Sequence, residues 1–513
     1  MTETGASSTA PSADLAALAR GGRINFFGFV LRLMARLPFL FIAGRMYGAD
    51  ELGRFAYAVL IVEFAAQLAT LGLKRGLAQQ LAKTDKPHVC VVADALLVAA
   101  IGSAIAMTIL AIFPQAMFPN SEITGLEWTL PVTVFALAWS DICLAALAYR
   151  HDVTSTVRAR AIVEPWTISI AAFAWYFIST RDGLIIAYAL SMVGALIASV
   201  IPFVRSYGLP HGWSPDPGTL WSLARRNLPV AAADAVEWGS RRIDIAVLGL
   251  FFAPKIVGIY YVAQQVASLP AKLKTSFDPI LGPVISRNLA EGDKGAVAKQ
   301  VRQVGFWVIA AQGGVALALG IPGEAVMGLV GAGFVAGTAA LGFLLAAEVV
   351  AATAAVSEAA LIYCARHRNM MISLCMIVVE AGLAAGLILL MRSWGWPIMW
   401  QATGPALALM LSLGFAAIIK ARLLHRILGH PVSGWRWPLI WAAAAAMVVG
   451  QLVIMLPEWA ELLVGIPAIL IAFGAILWVK GFGPEDRELF RMSKDDIEEL
   501  SLPDAGSSPQ APR

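Results

Sequence analysis

The feature that most constrains the fold is a succession of apolar stretches, each about 20 residues long, that recurs along the whole chain. A helix of that length spans the hydrocarbon core of a bilayer, which is about 30 Å thick. Only 14% of the 513 residues are charged, whereas soluble domains carry about 25%. A water-soluble fold of this composition would expose large apolar patches. The sequence therefore predicts an all-α integral membrane protein.

Measured against this length, the sequence predicts about fourteen transmembrane helices. The predicted spans are 24–47, 55–73, 89–113, 126–149, 162–179, 184–204, 228–252, 257–279, 304–321, 338–361, 370–391, 398–420, 438–456 and 461–479. Residues 1–22 are polar and lack the basic segment of a signal peptide, so we expect a disordered cytoplasmic tail there. Residues 481–513 are expected to form a second cytoplasmic tail.

The basic residues are distributed unevenly between the two sets of loops. The even-numbered loops contain most of them, whereas loops 114–125 and 457–461 contain none. Because cytoplasmic loops carry an excess of Lys and Arg, we predict that both termini are cytoplasmic. No loop has room for an extramembrane catalytic domain, and the chain has no Walker A motif and no metal-ligand spacing. We therefore expect that the protein is not an enzyme and has no metal site or cofactor. The net charge of +4 does not indicate a nucleic-acid partner.

An internal repeat organises the chain. The segment "GRMYGADELGRFAYAV" from Gly44 is similar to "GLFFAPKIVGIYYVAQ" from Gly249. This shift of 205 residues also places Gly53 on Gly258 and Arg36 on Arg241. Each unit contains six predicted spans, an even number, so the two copies have the same orientation. This pattern predicts two six-helix lobes related by a pseudo-twofold axis along the membrane normal. The expected lobes are 23–210 and 211–430, followed by two extra helices in 431–480.

These repeat segments resemble a known family. "GRMYGADELGRFAYAV" followed by "LGLKRGLAQQLAK", and "SRRIDIAVLGLFFAPKIVGIYYVAQ" in the second half, are similar to the helix and turn signatures of polysaccharide biosynthesis flippases, which export O-antigen or exopolysaccharide repeat units. That family belongs to the multidrug/oligosaccharidyl-lipid/polysaccharide (MOP) exporter superfamily. The resemblance covers roughly residues 20–425.

The resemblance implies a V-shaped protein that works by alternating access in the bacterial inner membrane. Its implied substrate is an undecaprenyl-pyrophosphate-linked oligosaccharide, moved from the cytoplasmic to the periplasmic leaflet for assembly of surface polysaccharide, including lipopolysaccharide. The expected partners are this lipid-linked oligosaccharide and membrane lipids. A polysaccharide polymerase and a chain-length regulator are further candidate partners.

Two arginines in the first predicted span need an explanation. Arg36 lies about twelve residues into that span, or roughly 18 Å deep, and Arg32 lies one turn below it. An arginine at the bilayer centre costs about 2.5–3.5 kcal/mol on insertion scales. One interpretation is a buried ion pair, such as Arg36 with Glu63. The other is that these arginines line a central cavity and bind a diphosphate headgroup, since the guanidinium fork matches phosphate oxygens.

The seventh predicted span contains a second group of charges. Glu237 and Arg241 have the i,i+4 spacing of a pair along one helix. Arg242 lies about 100° round the helix from Arg241, so at least one of these two arginines needs another partner, which Asp244 is poorly placed to be. The arginine that stays unpaired is the strongest single ligand candidate. We predict that Arg32, Arg36, Arg241 and Arg242 bind the pyrophosphate. Candidate sugar contacts are Gln67, Trp139, Trp175, Gln264 and Gln265.

Buried acids supply the candidates for energy coupling. Glu63, Glu237, Asp244 and Glu348 could bind a coupling Na⁺ or H⁺, or could pair permanently with arginines. Glu348 is the best coupling candidate because its own helix has no basic residue one turn away. Two other functions stay open: a cation-coupled multidrug antiporter of the same superfamily, and a membrane polysaccharide polymerase or ligase. The first would favour acids over arginines in the cavity, and the second usually needs a large periplasmic loop.

Overall fold

The computed structural model describes residues 37–123, 125–274, 278–483 and 486. This part of the chain is almost entirely helical and contains no β-strand. Nine of its helices are long and apolar enough to cross a membrane. The prediction of an all-α membrane protein is therefore confirmed, while the count of fourteen spans stays a prediction. Arg32 and Arg36 lie outside the described residues, as do the predicted tail 1–22 and nearly all of the tail 481–513.

The first half of the fold is a bundle whose chain begins in a helical segment from residue 37 and a π-helix, Ala43–Tyr47. This segment ends at Gly48, whose φ of 84° is a left-handed value that glycine adopts without strain. The external turn that the sequence predicts between the first two spans is therefore a sharp bend at Gly48. The longer α-helices that follow are α1 (Gly48–Ala69), α2 (Leu73–Leu81), α3 (His88–Ile112), α4 (Val132–Tyr149), α5 (Glu164–Tyr176) and α6 (Gly183–Tyr207).

The second half is also built from helices that are interrupted by turns. Its longer α-helices are α7 (Pro217–Gly239), α8 (Ile243–Phe251), α9 (Pro254–Lys274), α10 (Asp278–Ala290), α11 (Lys294–Gly320), α12 (Gly323–Val330), α13 (Thr338–Cys364), α14 (Arg366–Ser393) and α15 (Gly404–Leu428). Two further helices complete the described chain, α16 (Pro438–Val453) and α17 (Ile466–Ile476).

Aspartate caps begin two of the helices in this half at their predicted cytoplasmic ends. Asp216 accepts a hydrogen bond from the backbone N–H of Thr219 at 2.8 Å at the start of α7, and Asp293 caps α11 in the same way. The side-chain and backbone hydrogen bonds from Thr219 lower the pKa of Asp216. These caps lie in segments that the hydropathy pattern assigns to loops, so helix extends well into the predicted cytoplasmic loops.

The predicted seventh span, 228–252, is not one helix. Helix α7 ends at Gly239, a turn follows over Ser240–Arg242, and α8 starts at Ile243. Arg242 has a non-helical backbone, with φ −142° and ψ 0°. The i,i+4 pairing expected for Glu237 and Arg241 requires a continuous helix, so that expectation is wrong. The turn also directs Arg241 and Arg242 away from the regular helix surface.

The two repeat units touch at equivalent residues. Helices α1 and α9 pack together so closely at Gly53 and Gly258 that a Cβ added to Gly53 would lie 2.5 Å from the backbone nitrogen of Gly258. A Cβ added to Gly258 would lie 2.8 Å from the nitrogen of Gly53. Such reciprocal contacts are expected where a twofold axis passes through an interface. The predicted shift of 205 residues, from Gly53 to Gly258, therefore describes a structural pseudo-twofold.

The outer surface carries exposed apolar side chains in helical rows. On α3, Ile101, Ile105, Ile109 and Ile112 are each at least half exposed, between 50% and 62%. In water such a row would be an unfavourable apolar patch, but against lipid acyl chains it is favourable. The polar side chains are concentrated instead inside the bundle and at its ends.

Candidate functional site

A cavity of about 1070 Å³ lies between the two halves of the protein. Its wall begins at Leu37 and Leu40 in the first helical segment and includes residues of α1, α5, α6, α7, α9, α11, α13, α14 and α15. We refer to it as the central cavity. The described candidate residues Glu63, Glu237, Arg241, Arg242 and Glu348 all line it.

Arg242 is held by an acid of the opposite half. Its Nη1 donates a hydrogen bond to Glu63 Oε2 at 2.7 Å, and its guanidinium carbon lies 5.1 Å from the centre of the Trp238 ring. Arg242 therefore has a partner outside its own helix, because the turn after α7 brings it to a residue that is distant in sequence. Its side chain is still 42% exposed, and a guanidinium has five N–H donors. Donors of Arg242 stay available to a ligand in the central cavity.

Arg241 is the exposed cation of this turn. Its side chain lines the central cavity, and no ion pair to it is found among the described residues. The neighbouring acid, Glu237, pairs instead with Arg75 of α2, whose Nη2 lies 2.8 Å from Glu237 Oε2. Arg75 also lies 3.1 Å from Asp234. Arg75 thus links the first half to α7 and leaves Arg241 accessible.

Asp244 lies behind the cavity wall rather than on it. It is fully buried and accepts hydrogen bonds from the Tyr260 hydroxyl at 2.8 Å and from Gln264 Nε2 at 2.9 Å. Glu380 of α14 is also fully buried, and within the described part of the chain neither of its carboxylate oxygens has a hydrogen-bond partner. Glu380 lies close enough to Asp244 for their charges to interact. The sequence identifies Asp244 as a buried acid, but it contains no local pattern that brings Asp244 and Glu380 together.

The other acids of the interior differ in their surroundings. Glu348 of α13 lines the central cavity and is half-buried. Asp141 is bound by Lys74, at 3.0 Å, and by Arg160, so it is a permanently paired acid. Trp139, a candidate sugar contact, donates to the Leu96 carbonyl and stacks near Phe135, which makes it a packing residue. Across the described ranges, no three His, Cys, Asp or Glu side chains come together as metal ligands do.

Comparison with known proteins identifies the family. The family model for polysaccharide biosynthesis proteins matches residues 42–309, which is more than half of the chain. The chain belongs to this family. The resemblance seen in its repeat signatures is thereby confirmed. No curated protein matches the sequence.

Solved structures show that the fold of this family member is that of the MOP superfamily. The lipid II flippase MurJ in an inward closed conformation is similar, with a TM-score of 0.64 and 11% identity over 91% of this chain and 99% of that one. An inward-facing multidrug resistance MATE transporter is similar with a TM-score of 0.62 and 13% identity, over 78% of this chain and 94% of the other. A MOP transporter from Pyrococcus furiosus, for which reverse polarity of the binding pocket suggests a different function, has a TM-score of 0.51, 13% identity and coverage of 82% and 95%.

Proposed function

We propose that the protein flips undecaprenyl-pyrophosphate-linked oligosaccharide repeat units from the cytoplasmic to the periplasmic leaflet of the bacterial inner membrane. The observation that carries this proposal is the central cavity, which lies between the repeat halves and exposes Arg241 and Arg242 in its wall. Family membership supports a role in polysaccharide assembly. In this proposal both termini are cytoplasmic, and the polymerase and chain-length regulator act downstream.

The arginines would bind the pyrophosphate as the mobile anion of the substrate. Arg241 offers a complete guanidinium to it, and Arg242 offers the donors not used by Glu63. Hydrogen bonds between guanidinium and phosphate are charge-assisted, and a paired geometry makes them directional. The two halves would then rock about the bound headgroup, while the polyprenyl chain stays in lipid. Arg32 and Arg36 keep their proposed role on the opposite wall.

The drug-antiporter alternative is disfavoured by the way the acids of the cavity are paired. A cationic drug requires unpaired negative charge, but Glu63 is bound to Arg242, Glu237 to Arg75, and Glu358 to Lys420. The polymerase or ligase alternative has no support in the site, because the polar groups of the cavity lie among helices rather than on a large external loop.

Energy coupling would use the buried acids. Two carboxylates in a dry interior are costly to ionise together, by several kcal/mol per ion, so Asp244 and Glu380 are suited to take up a proton or Na⁺. Glu348 is the alternative coupling residue and faces the cavity directly. We expect Glu348→Gln to slow flipping without removing the protein from the membrane. If that variant flips substrate at the wild-type rate over a range of pH and Na⁺ concentration, the coupling residues are Asp244 and Glu380 rather than Glu348.

The proposal is tested by flipping of undecaprenyl-pyrophosphoryl oligosaccharide in proteoliposomes. Loss of one charge-assisted hydrogen bond costs about 1.5–3 kcal/mol, so Arg241→Ala and Arg242→Ala should each weaken substrate binding about tenfold to a hundredfold. The matched control is Arg287→Ala, which removes an exposed arginine 3.9 Å from Glu291 and outside the cavity. Wild-type transport by both cavity variants, with normal membrane insertion, would contradict the phosphate-binding role.

A further inference from the structure

One end of the central cavity is a polar wall formed by α13, α14 and α15. Lys420 Nζ donates to Glu358 Oε1 at 2.9 Å and to Ser373 Oγ at 3.1 Å. Lys420 is only 5% exposed. Asn369 lies one helical turn before Ser373 and therefore on the same face of α14. All four residues line the cavity, and we name Glu358, Asn369, Ser373 and Lys420 the polar corner.

The polar corner contains an unused hydrogen-bonding group. Asn369 is 8% exposed, and its Oδ1 has no hydrogen-bond partner within the described part of the chain. Gln312 of α11 lines the same cavity and is 2% exposed. Its Oε1 also has no hydrogen-bond partner among the described residues. A buried polar atom without a partner destabilises the protein, because it has lost its hydrogen bonds to water. A ligand that supplies hydrogen bonds here would recover that cost.

The chemistry of the polar corner differs from that of the arginine turn. Lys420 and Glu358 compensate each other, so the corner carries no net charge and is unsuited to a phosphate or a cationic drug. It offers ammonium and amide donors together with hydroxyl, amide and carboxylate acceptors. A ligand that donates and accepts hydrogen bonds at several adjacent positions can pair with all of these donors and acceptors. The neighbouring hydroxyls of a neutral sugar ring have this property.

We propose that the polar corner is a carbohydrate subsite that binds a neutral sugar residue of the transported lipid. This inference rests on the proposed function, and it separates the site into two parts. The arginines at the turn after α7 take the pyrophosphate, and the polar corner takes the glycan. Asn369 lies about one turn from the start of α14, at the predicted cytoplasmic end where the glycan enters. Sites that hydrogen-bond hydroxyl groups discriminate strongly against analogues that lack them.

The test compares binding of glycosylated and bare lipids to the purified full-length protein. The probes are undecaprenyl pyrophosphate and undecaprenyl-pyrophosphoryl glucose, galactose and N-acetylglucosamine. The variant Asn369→Ala/Ser373→Ala removes two polar groups and leaves the ion pair between Lys420 and Glu358 in place. We expect wild type to bind at least one glycosylated probe more tightly than the bare lipid. The variant should lose that sugar-dependent gain by tenfold or more and bind the bare lipid as wild type does.

The controls separate the two proposals. Ser412→Ala removes a hydroxyl whose hydrogen bonds, within the described residues, go to backbone carbonyls of its own helix. Ser412 lies outside the cavity, so this variant should bind all probes normally. Asn369→Leu keeps roughly the side-chain volume, removes both polar atoms and checks the result if the double variant is unstable; it should lose the gain as well. Failure of wild type to bind any probe would overturn the proposed function. Binding of the bare lipid with no gain from the sugar, or a gain that survives in both variants, would overturn the carbohydrate subsite alone.

Discussion

The close contact of α1 and α9 makes a sharp prediction about Gly53 and Gly258. A Cβ on Gly53 would lie 1.8 Å from the Pro254 carbonyl oxygen and 2.5 Å from the Gly258 nitrogen, whereas ordinary contacts of this kind are 3.4–4 Å. Alanine therefore requires the two helices to separate by about 1.6 Å, and such overpacking costs about 1–3 kcal/mol. The contact lies where α1 and α9 begin, on the predicted external side. Gly53→Ala and Gly258→Ala should both destabilise the state in which this side is closed.

Two measurements check this prediction. The first is the thermal unfolding midpoint in detergent, which should fall for both variants. The second is the distance between spin labels at Asp50 and Lys255, two exposed residues related by the repeat. A cost of 1–3 kcal/mol corresponds to a change of about fivefold to more than a hundredfold in the closed-to-open ratio, so a longer distance should become populated. The double variant should cost less than the sum of the two, since one separation relieves both clashes.

The matched controls are Gly342→Ala in α13 and Gly382→Ala in α14. A Cβ at either position meets no atom within 4 Å, and alanine is the better helix former by about 1 kcal/mol. These variants should be as stable as wild type or more so. If Gly53→Ala and Gly258→Ala behave like these controls in both measurements, the reciprocal glycine contact does not hold the two halves together.

Two further predictions concern charges outside the central cavity. Glu127 is 1% exposed and bonds Arg54 and Arg181. Glu127→Gln should cost about 3 kcal/mol, because buried Arg54 then keeps only its longer pair with Glu51, at 3.4 Å; the cost is measured as a lower unfolding midpoint. Near the C-terminus, burial raises the pKa of Asp486, but hydrogen bonds from Arg436 and Gly483 outweigh it and hold the pKa below its usual value. A depressed carboxyl pKa stabilises the fold above about pH 4, so the stability advantage of wild type over Asp486→Asn should disappear as the pH falls below that value.

The repeat was predictable from sequence because it is carried by turn glycines. Two helix backbones can come this close only where the facing residues have no Cβ, so glycine is required there. Gly53 and Gly258 therefore stand out against apolar helices in which most residues are interchangeable. The break in the seventh span was not predictable in this way. The turn places Arg242 against Glu63, 179 residues away, and hydropathy within a window contains no information about such a partner.

The same reason limits prediction of the candidate site. Local spacing correctly singled out charges that line the cavity, including Arg241, Arg242 and Glu348. It assigned wrong partners, because i,i+4 logic considers only one helix at a time, while the observed partners of Glu237 and Arg242 lie on the other half. Asp244 and Glu380 show the same limit, because they lie on different helices and only the packing of α8 on α14 makes them neighbours.

The pairing of Arg242 with Glu63 has a consequence for turnover. In the proposed cycle a pyrophosphate must replace the Glu63 carboxylate on Arg242, so Glu63 weakens binding but also aids release of the headgroup. The pair is partly exposed, with side chains 42% and 27% accessible, so the competition is worth about 1 kcal/mol. Glu63→Gln should therefore tighten binding of undecaprenyl pyrophosphate roughly fivefold and lower the maximal flipping rate. Weaker binding or faster flipping by Glu63→Gln would show instead that Glu63 positions Arg242 for the phosphate rather than competing with it.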